Sequence, residues 1–189
     1  MKEKIDFKRI EKAVGEILAA LGEDGDREGL RDTPKRVARM YAELLGGSEH
    51  DPKEYLQAVF RENYDEVVLL RDIPFYSMCE HHMMPFIGKA HVAYLPDGRV
   101  IGVSKLARVV DCFSRRLQVQ ERLTGEIADF LMDNLQPKGA AVVIEAAHSC
   151  MTIRGAKKAG SMMVTSALRG TFKSDPRSRS EVLGLMHGD

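Results

Sequence analysis

Cys79-Glu80-His81-His82 and His148-Ser149-Cys150 lie far apart in the chain, and any ion they share forces the two stretches to become neighbours. Cys79 and His82 have the C-x-x-H spacing by which a thiolate and an imidazole close on one metal from a short turn. Cys150 supplies a second sulfur once the fold brings the stretches together. Zinc accepts this mixture, and two Cys plus one His leave one tetrahedral position for water. That set describes a hydrolytic centre, with His81 and His148 as spare imidazoles for proton transfer. A closed structural zinc, with His81 or His148 as fourth ligand, is the competing arrangement, and spacing does not separate the two.

The 189 residues suffice for a sizeable core, as one domain or one domain with an appendage. Lys plus Arg and Asp plus Glu number 28 each, so no net field argues for nucleic acid or membrane. No apolar stretch is long enough to span a bilayer, and Met1-Lys2-Glu3-Lys4 does not open a signal peptide. The three cysteines are an odd number, and two stand in metal-ligand company, which argues against a disulfide framework and for a reducing cytoplasm.

Apolar spacing predicts a helix over 5–21, with Gly22 as its stop. Thr33-Pro34 predicts a second helix, Thr33 as cap, ending at Gly46-Gly47, and Asp51-Pro52 a short third one ending near Phe60. Residues 1–62 thus read as an N-terminal helical segment and 63–189 as the catalytic domain. Within the latter, strands are expected over 67–70, 73–76 and 86–95. The turn Pro96-Asp97-Gly98 then returns 99–103 as a hairpin partner of 86–95. A helix capped by Ser104 and another over 119–135 follow, then strands over 140–147 and 161–172 and a short helix around 182–185. Two strand pairs split by a helix pair make an α+β fold.

Ser104-Lys105-x-x-Arg108 sits where a helix begins just after a strand, a position that favours an anion. The plain alternative is a capping Ser with two solvated bases. Arg154, four residues beyond Cys150, adds a base near the metal cluster; Arg36 and Arg39 share a helix face, as solvated residues commonly do. Gathered by the fold, these bases would suit a polyphosphate, yet no G-x-x-x-x-G-K-[ST] loop is present. Glu121, within Gln118-Val119-Gln120-Glu121-Arg122, offers a carboxylate that can take two parallel hydrogen bonds, as guanine presents at N1–H and the 2-amino group. A solvated Glu in a first helical turn is the plainer reading.

Four motifs in this order, Cys79-Glu80-His81-His82, Ser104-Lys105-x-x-Arg108, Gln118-Val119-Gln120-Glu121-Arg122-Leu123-Thr124 and His148-x-Cys150-x-x-x-Arg154-Gly155, closely resemble GTP cyclohydrolase I, over about Thr33 to Phe172. The resemblance implies an enzyme that opens the imidazole ring of GTP, releases C8 as formate and recloses the skeleton as 7,8-dihydroneopterin triphosphate. It implies the tunnelling fold, in which antiparallel sheets of several subunits join into a barrel, and a homodecamer with sites at subunit contacts. By motif, Cys79, His82 and Cys150 would hold zinc, Glu121 with Gln120 would read guanine, and Lys105, Arg108 and Arg154, supported by Ser104, would hold the triphosphate. His148 would handle the proton at purine N7 and His81 protons nearer the ribose. The alternatives are another tunnelling-fold enzyme of purines or pterins, or a non-catalytic zinc-stabilised nucleotide-binding module.

Overall fold

The computed structural model describes residues 5–49, 51–57 and 59–188, so Met1-Lys2-Glu3-Lys4 lies outside the described residues. Helix α1 (Phe7–Ala20) is capped by Asp6, whose side chain accepts from the Arg9 amide at 3.0 Å. Helix α2 (Thr33–Leu45) packs beside it, but its cap is Asp32, which puts Thr33 and Pro34 inside the first turn. A 3₁₀ segment over Pro52–Gln57 replaces the expected third helix, and Val59–Arg61 has already become strand β1.

The two short extended runs are one strand, β2 (Val68–Cys79), broken in register between Leu70 and Ile73. At this bulge Asp72 has φ 55°, and its amide donates to Nδ1 of the buried His91 at 3.3 Å. An extra residue in one strand leaves backbone groups without ladder partners, and the imidazole takes one of them. Strand β3 (Met84–Leu95) runs back antiparallel to β2. Both neighbours of β3 are then taken, by β2 and by β6 (Gly139–His148). The expected hairpin partner, β4 (Arg99–Ile101), therefore leaves this sheet and pairs with β1.

Helix α3 (Val103–Ser114) is capped by Gly102 rather than Ser104, which sits exposed in its first turn. The two-residue strand β5 (Leu117–Gln118) leads into α4 (Gln120–Asn134). After β6 come α5 (Ser149–Thr152), strand β7 (Met163–Gly170), α6 (Thr171–Ser174) and α7 (Pro176–His187), the last much longer than the turn expected around Val182. The main sheet has the order β5-β2-β3-β6-β7, so the fold is α+β with the α3–α4 pair between two strand pairs. Apolar residues of α3 and α4, among them Leu106, Val110, Leu123, Ile127 and Leu131, bury one face of the sheet, and Phe172, Val182 and Met186 cover part of the other. Among the described residues no helix is long and apolar enough to cross a membrane.

Strand direction decides where the chemistry lies. Strands β2 and β6 are both antiparallel to β3, hence parallel to each other, and β5 is parallel to β2. The C-terminal ends of these three strands, Cys79, Gln118 and His148, therefore meet at one edge of the sheet.

Candidate active site

The β2–β3 connection is a tight turn in which the Met83 amide donates to the Cys79 carbonyl at 2.8 Å, with Met83 at φ 51°. This turn presents Cys79, His81 and His82 together. Opposite, Phe86 of β3 pairs in register with His148, the last residue of β6, so that α5 brings Cys150 to the same place. The ligand atoms of Cys79, His82 and Cys150 lie within 4.8 Å of one another, and Cys79 Sγ is 3.9 Å from His82 Nδ1. These three residues can hold a metal ion. His81 Nδ1 also lies 3.9 Å from Cys79 Sγ, but His81 does not join the mutually close set. Burial raises the Cys150 thiol pKa, and the adjacent Cys79 raises it further.

The ligands open on a cavity of about 190 Å³ whose wall includes His81, Gln118, Gln120, Glu121, His148 and Met163. Helix α4 supplies two of these from one turn. The amide of Glu80 donates to the Gln118 carbonyl at 3.0 Å, which docks the start of α4 against the ligand turn. Glu121 then points out of the helix and is exposed, whereas Gln120 is buried with 1 % of its surface exposed. His148 stacks on Phe86 with ring centroids 4.6 Å apart and planes 3° from parallel. Burial pushes its imidazole below the ordinary range, against the pull of the Glu121 carboxylate.

The predicted anion-binding residues are not gathered here within one chain. Ser104, Lys105, Arg108, Arg154, Arg36 and Arg39 are all absent from the wall of this cavity. Arg108 instead lies over the Tyr55 ring at 6.0 Å and borders a separate cavity of about 310 Å³ with Glu43, Asp111 and Arg115. Arg36 faces Asp32 at 3.6 Å, and Arg39 and Arg154 are exposed. Sequence reasoning missed Phe86, Thr124 and Thr165, and it missed the inward turn of Gln120. A signal for the last was present: Gln120, Leu123, Thr124 and Ile127 recur at the spacing of one helix face.

Comparison with protein families matches residues 10–187 to GTP cyclohydrolase I. The GTP cyclohydrolase 1 of Rhodopirellula baltica is 61 % identical over 184 residues, which are 97 % of this chain and 80 % of that protein. The GTP cyclohydrolase 1 of Geobacillus kaustophilus is 58 % identical over 97 % of this chain and 98 % of its own length. That of Streptococcus agalactiae serotype Ia is 59 % identical, with 94 % and 96 % covered. With more than half of its residues shared along nearly its whole length, the chain belongs to the GTP cyclohydrolase I family.

Proposed function

We propose that this chain is a zinc-dependent GTP cyclohydrolase I, converting GTP and water to 7,8-dihydroneopterin triphosphate and formate. The observation that carries the reading is the convergence of Cys79, His82 and Cys150 on a cavity that Glu121 and His148 also line. Zinc fits the donors in kind and in size. Bond lengths of ~2.3 Å to sulfur and ~2.0 Å to nitrogen put tetrahedral S···N contacts near ~3.6 Å, and the observed Cys79–His82 contact is 3.9 Å. When bound, zinc supplies Lewis acidity that makes water nucleophilic near neutral pH.

In this reading Glu121 accepts hydrogen bonds from guanine N1–H and the 2-amino group. His148 gives a proton to purine N7, which makes C8 electrophilic enough for water to add, and formate is lost after the ring opens. His81 serves protons nearer the ribose. Lys105, Arg108 and Arg154, with Ser104 and further charge from Arg36 and Arg39, hold the triphosphate. None of these residues lines the cavity in its own chain, so we assign them to sites completed by a neighbouring subunit, in a homodecamer of the tunnelling fold. Exposed Ile17 on α1 and Leu21 at its C-cap, and Ile87 and Val164 on the sheet, are apolar surfaces that such neighbours would cover. We divide the chain into a helical segment over 1–62 and a catalytic unit over 63–189, and we place it in the cytoplasm, where Cys79 and Cys150 stay reduced.

The test is to incubate zinc-loaded protein with GTP and measure formate together with the fluorescent pterin that appears after oxidation. Both products in equal amounts are expected. GTP binding with neither product would indicate a zinc-stabilised binding module instead.

A further inference from the structure

Both ends of the buried Gln120 carboxamide are engaged within the protein. Its Nε2 lies 3.0 Å from the carbonyl of Ile144, 3.0 Å from that of Met163 and 3.1 Å from Thr165 Oγ1. Its Oε1 lies 2.8 Å from His148 Nε2. A buried carboxamide needs such partners, since an unsatisfied one costs ~1–3 kcal/mol. The arrangement has only one direction. Backbone carbonyls accept and never donate, so the NH₂ group must face Ile144 and Met163. A flipped amide would set three oxygens against one another.

A neighbouring pair of hydroxyls agrees. Thr124 Oγ1 donates to the Gln120 carbonyl at 2.7 Å, so its oxygen accepts from Thr165 Oγ1 at 2.6 Å. Thr165, having donated, can only accept, and it shares one of the two Gln120 amide hydrogens with a backbone carbonyl. The directions of all these bonds are mutually consistent.

With the orientation of Gln120 settled, that of the imidazole follows. Oε1 can only accept, so His148 Nε2 must carry a hydrogen whether the ring is neutral or cationic. Phe86, stacked within 3° of parallel, holds the ring plane. Nδ1 has no hydrogen-bond partner among the described residues, and it is the one nitrogen left for exchange. We propose that Gln120 is a positioning residue that locks His148 as its Nε2–H tautomer and leaves Nδ1 as the atom through which protons reach and leave the substrate. The inference rests on the reading of His148 as the acid at N7. In that step the Nδ1–H bond breaks, an N7–H bond forms, and the positive charge passes to the purine. His148 returns to the same neutral tautomer without turning its ring.

The inference departs from the expectation that Gln120 reads guanine, and kinetics separate the two. In Gln120→Met, which keeps the length and removes both hydrogen-bonding ends, kcat for formate release should fall about 10–100-fold, the size of loss typical when the partner that orients a metal-ligating imidazole is removed. KM for GTP and zinc content should stay near wild type. A raised KM with kcat intact would return Gln120 to substrate reading and overturn the proposal, as would unchanged kinetics. Solid-state ¹⁵N NMR of the histidine-labelled wild-type protein, with His148 assigned by its loss in His148→Ala, reads the tautomer directly. Hydrogen on Nε2 with bare Nδ1 is expected; hydrogen on Nδ1 alone sinks the proposal even if Gln120→Met does not assemble. Undiminished formate release by His148→Ala would remove the acid role while leaving the tautomer measurement to stand by itself.

Discussion

Arg122 grips Glu80 with both ends of its guanidinium, Nη1 to Oε2 at 2.7 Å and Nη2 to Oε1 at 3.0 Å. Glu80 lies between Cys79 and His81 in the β2–β3 turn, and Arg122 follows Glu121 in α4, so the pair ties the Cys79–His82 side of the cavity to the Glu121 side. The hydrogen bond from Arg122 is the main reason the Glu80 carboxyl is held below its ordinary range. A planar fork matches a carboxylate where an ammonium does not.

Arg122→Lys should therefore lower kcat/KM for GTP by about tenfold through misplacement of Glu121 relative to the ligand turn. Its thermal stability should hardly change, because half-exposed pairs contribute little. Steady-state kinetics beside a thermal melt check this, and added salt should lower kcat/KM more in the wild type than in Arg122→Met, which has no ion pair to screen.

Cys150→Ser should lose most of its zinc and its activity together, since three ligands leave none to spare. Metal analysis of the purified variant is the measurement. Full zinc occupancy would remove Cys150 from the site.

Glu121→Ala should keep its zinc and lose at least ~10²-fold in GTP turnover. The wild type should reject ATP by ~10⁴-fold or more, because adenine has neither N1–H nor a 2-amino group and leaves a carboxylate unpaired. Unchanged GTP kinetics in the variant would make Glu121 an ordinary solvated residue.

His91 should make the fold sensitive to acid. Burial holds its pKa below the ordinary range; Asp72 and Glu145 oppose this, and Arg71 and Lys89 reinforce it. The unfolded chain takes up the proton near ~6.5, while the folded chain resists until lower pH. In that window the unfolded state binds more protons, so the stability present above ~6.5 is lost as pH falls through the folded value. Urea midpoints between pH 7.5 and 5 should drop less steeply for His91→Gln than for the wild type. Parallel curves would show that the bulge at Asp72 does not depend on the neutral imidazole.

What could be read before the fold was known follows a physical division. Helix α4 and strand β6 were legible because their apolar spacing is local, and Cys79, His82 and Cys150 because metal ligation demands few residue types at short spacings. The partner of β4 was not. Pro96-Asp97-Gly98 announces a reversal, but whether β3 has a free edge depends on β6, forty residues later in the chain by rough count. The cap of α3 went to Gly102 because Ser104 and Gly102 satisfy the same local pattern, and only the exit of β4 chooses between them. The inward turn of Gln120 needs Ile144, Met163 and Thr165 at one point, which the β6–β7 register supplies and no local pattern contains. Lys105 and Arg108 were recognisable as bases, yet the fold sets Arg108 over Tyr55 and neither lines the cavity of Cys79, His82 and Cys150.

The edge where β2, β5 and β6 end also imposes an order on synthesis. Cys79 and His82 leave the ribosome long before Cys150, and a nascent chain that stops short of β6 offers an ion two ligands from one turn. Only when β6 has paired along β3, with His148 opposite Phe86, does the third ligand arrive. On the zinc-dependent reading, tight capture of metal is thereby deferred until the sheet is built, and an unfinished chain has little with which to compete for zinc.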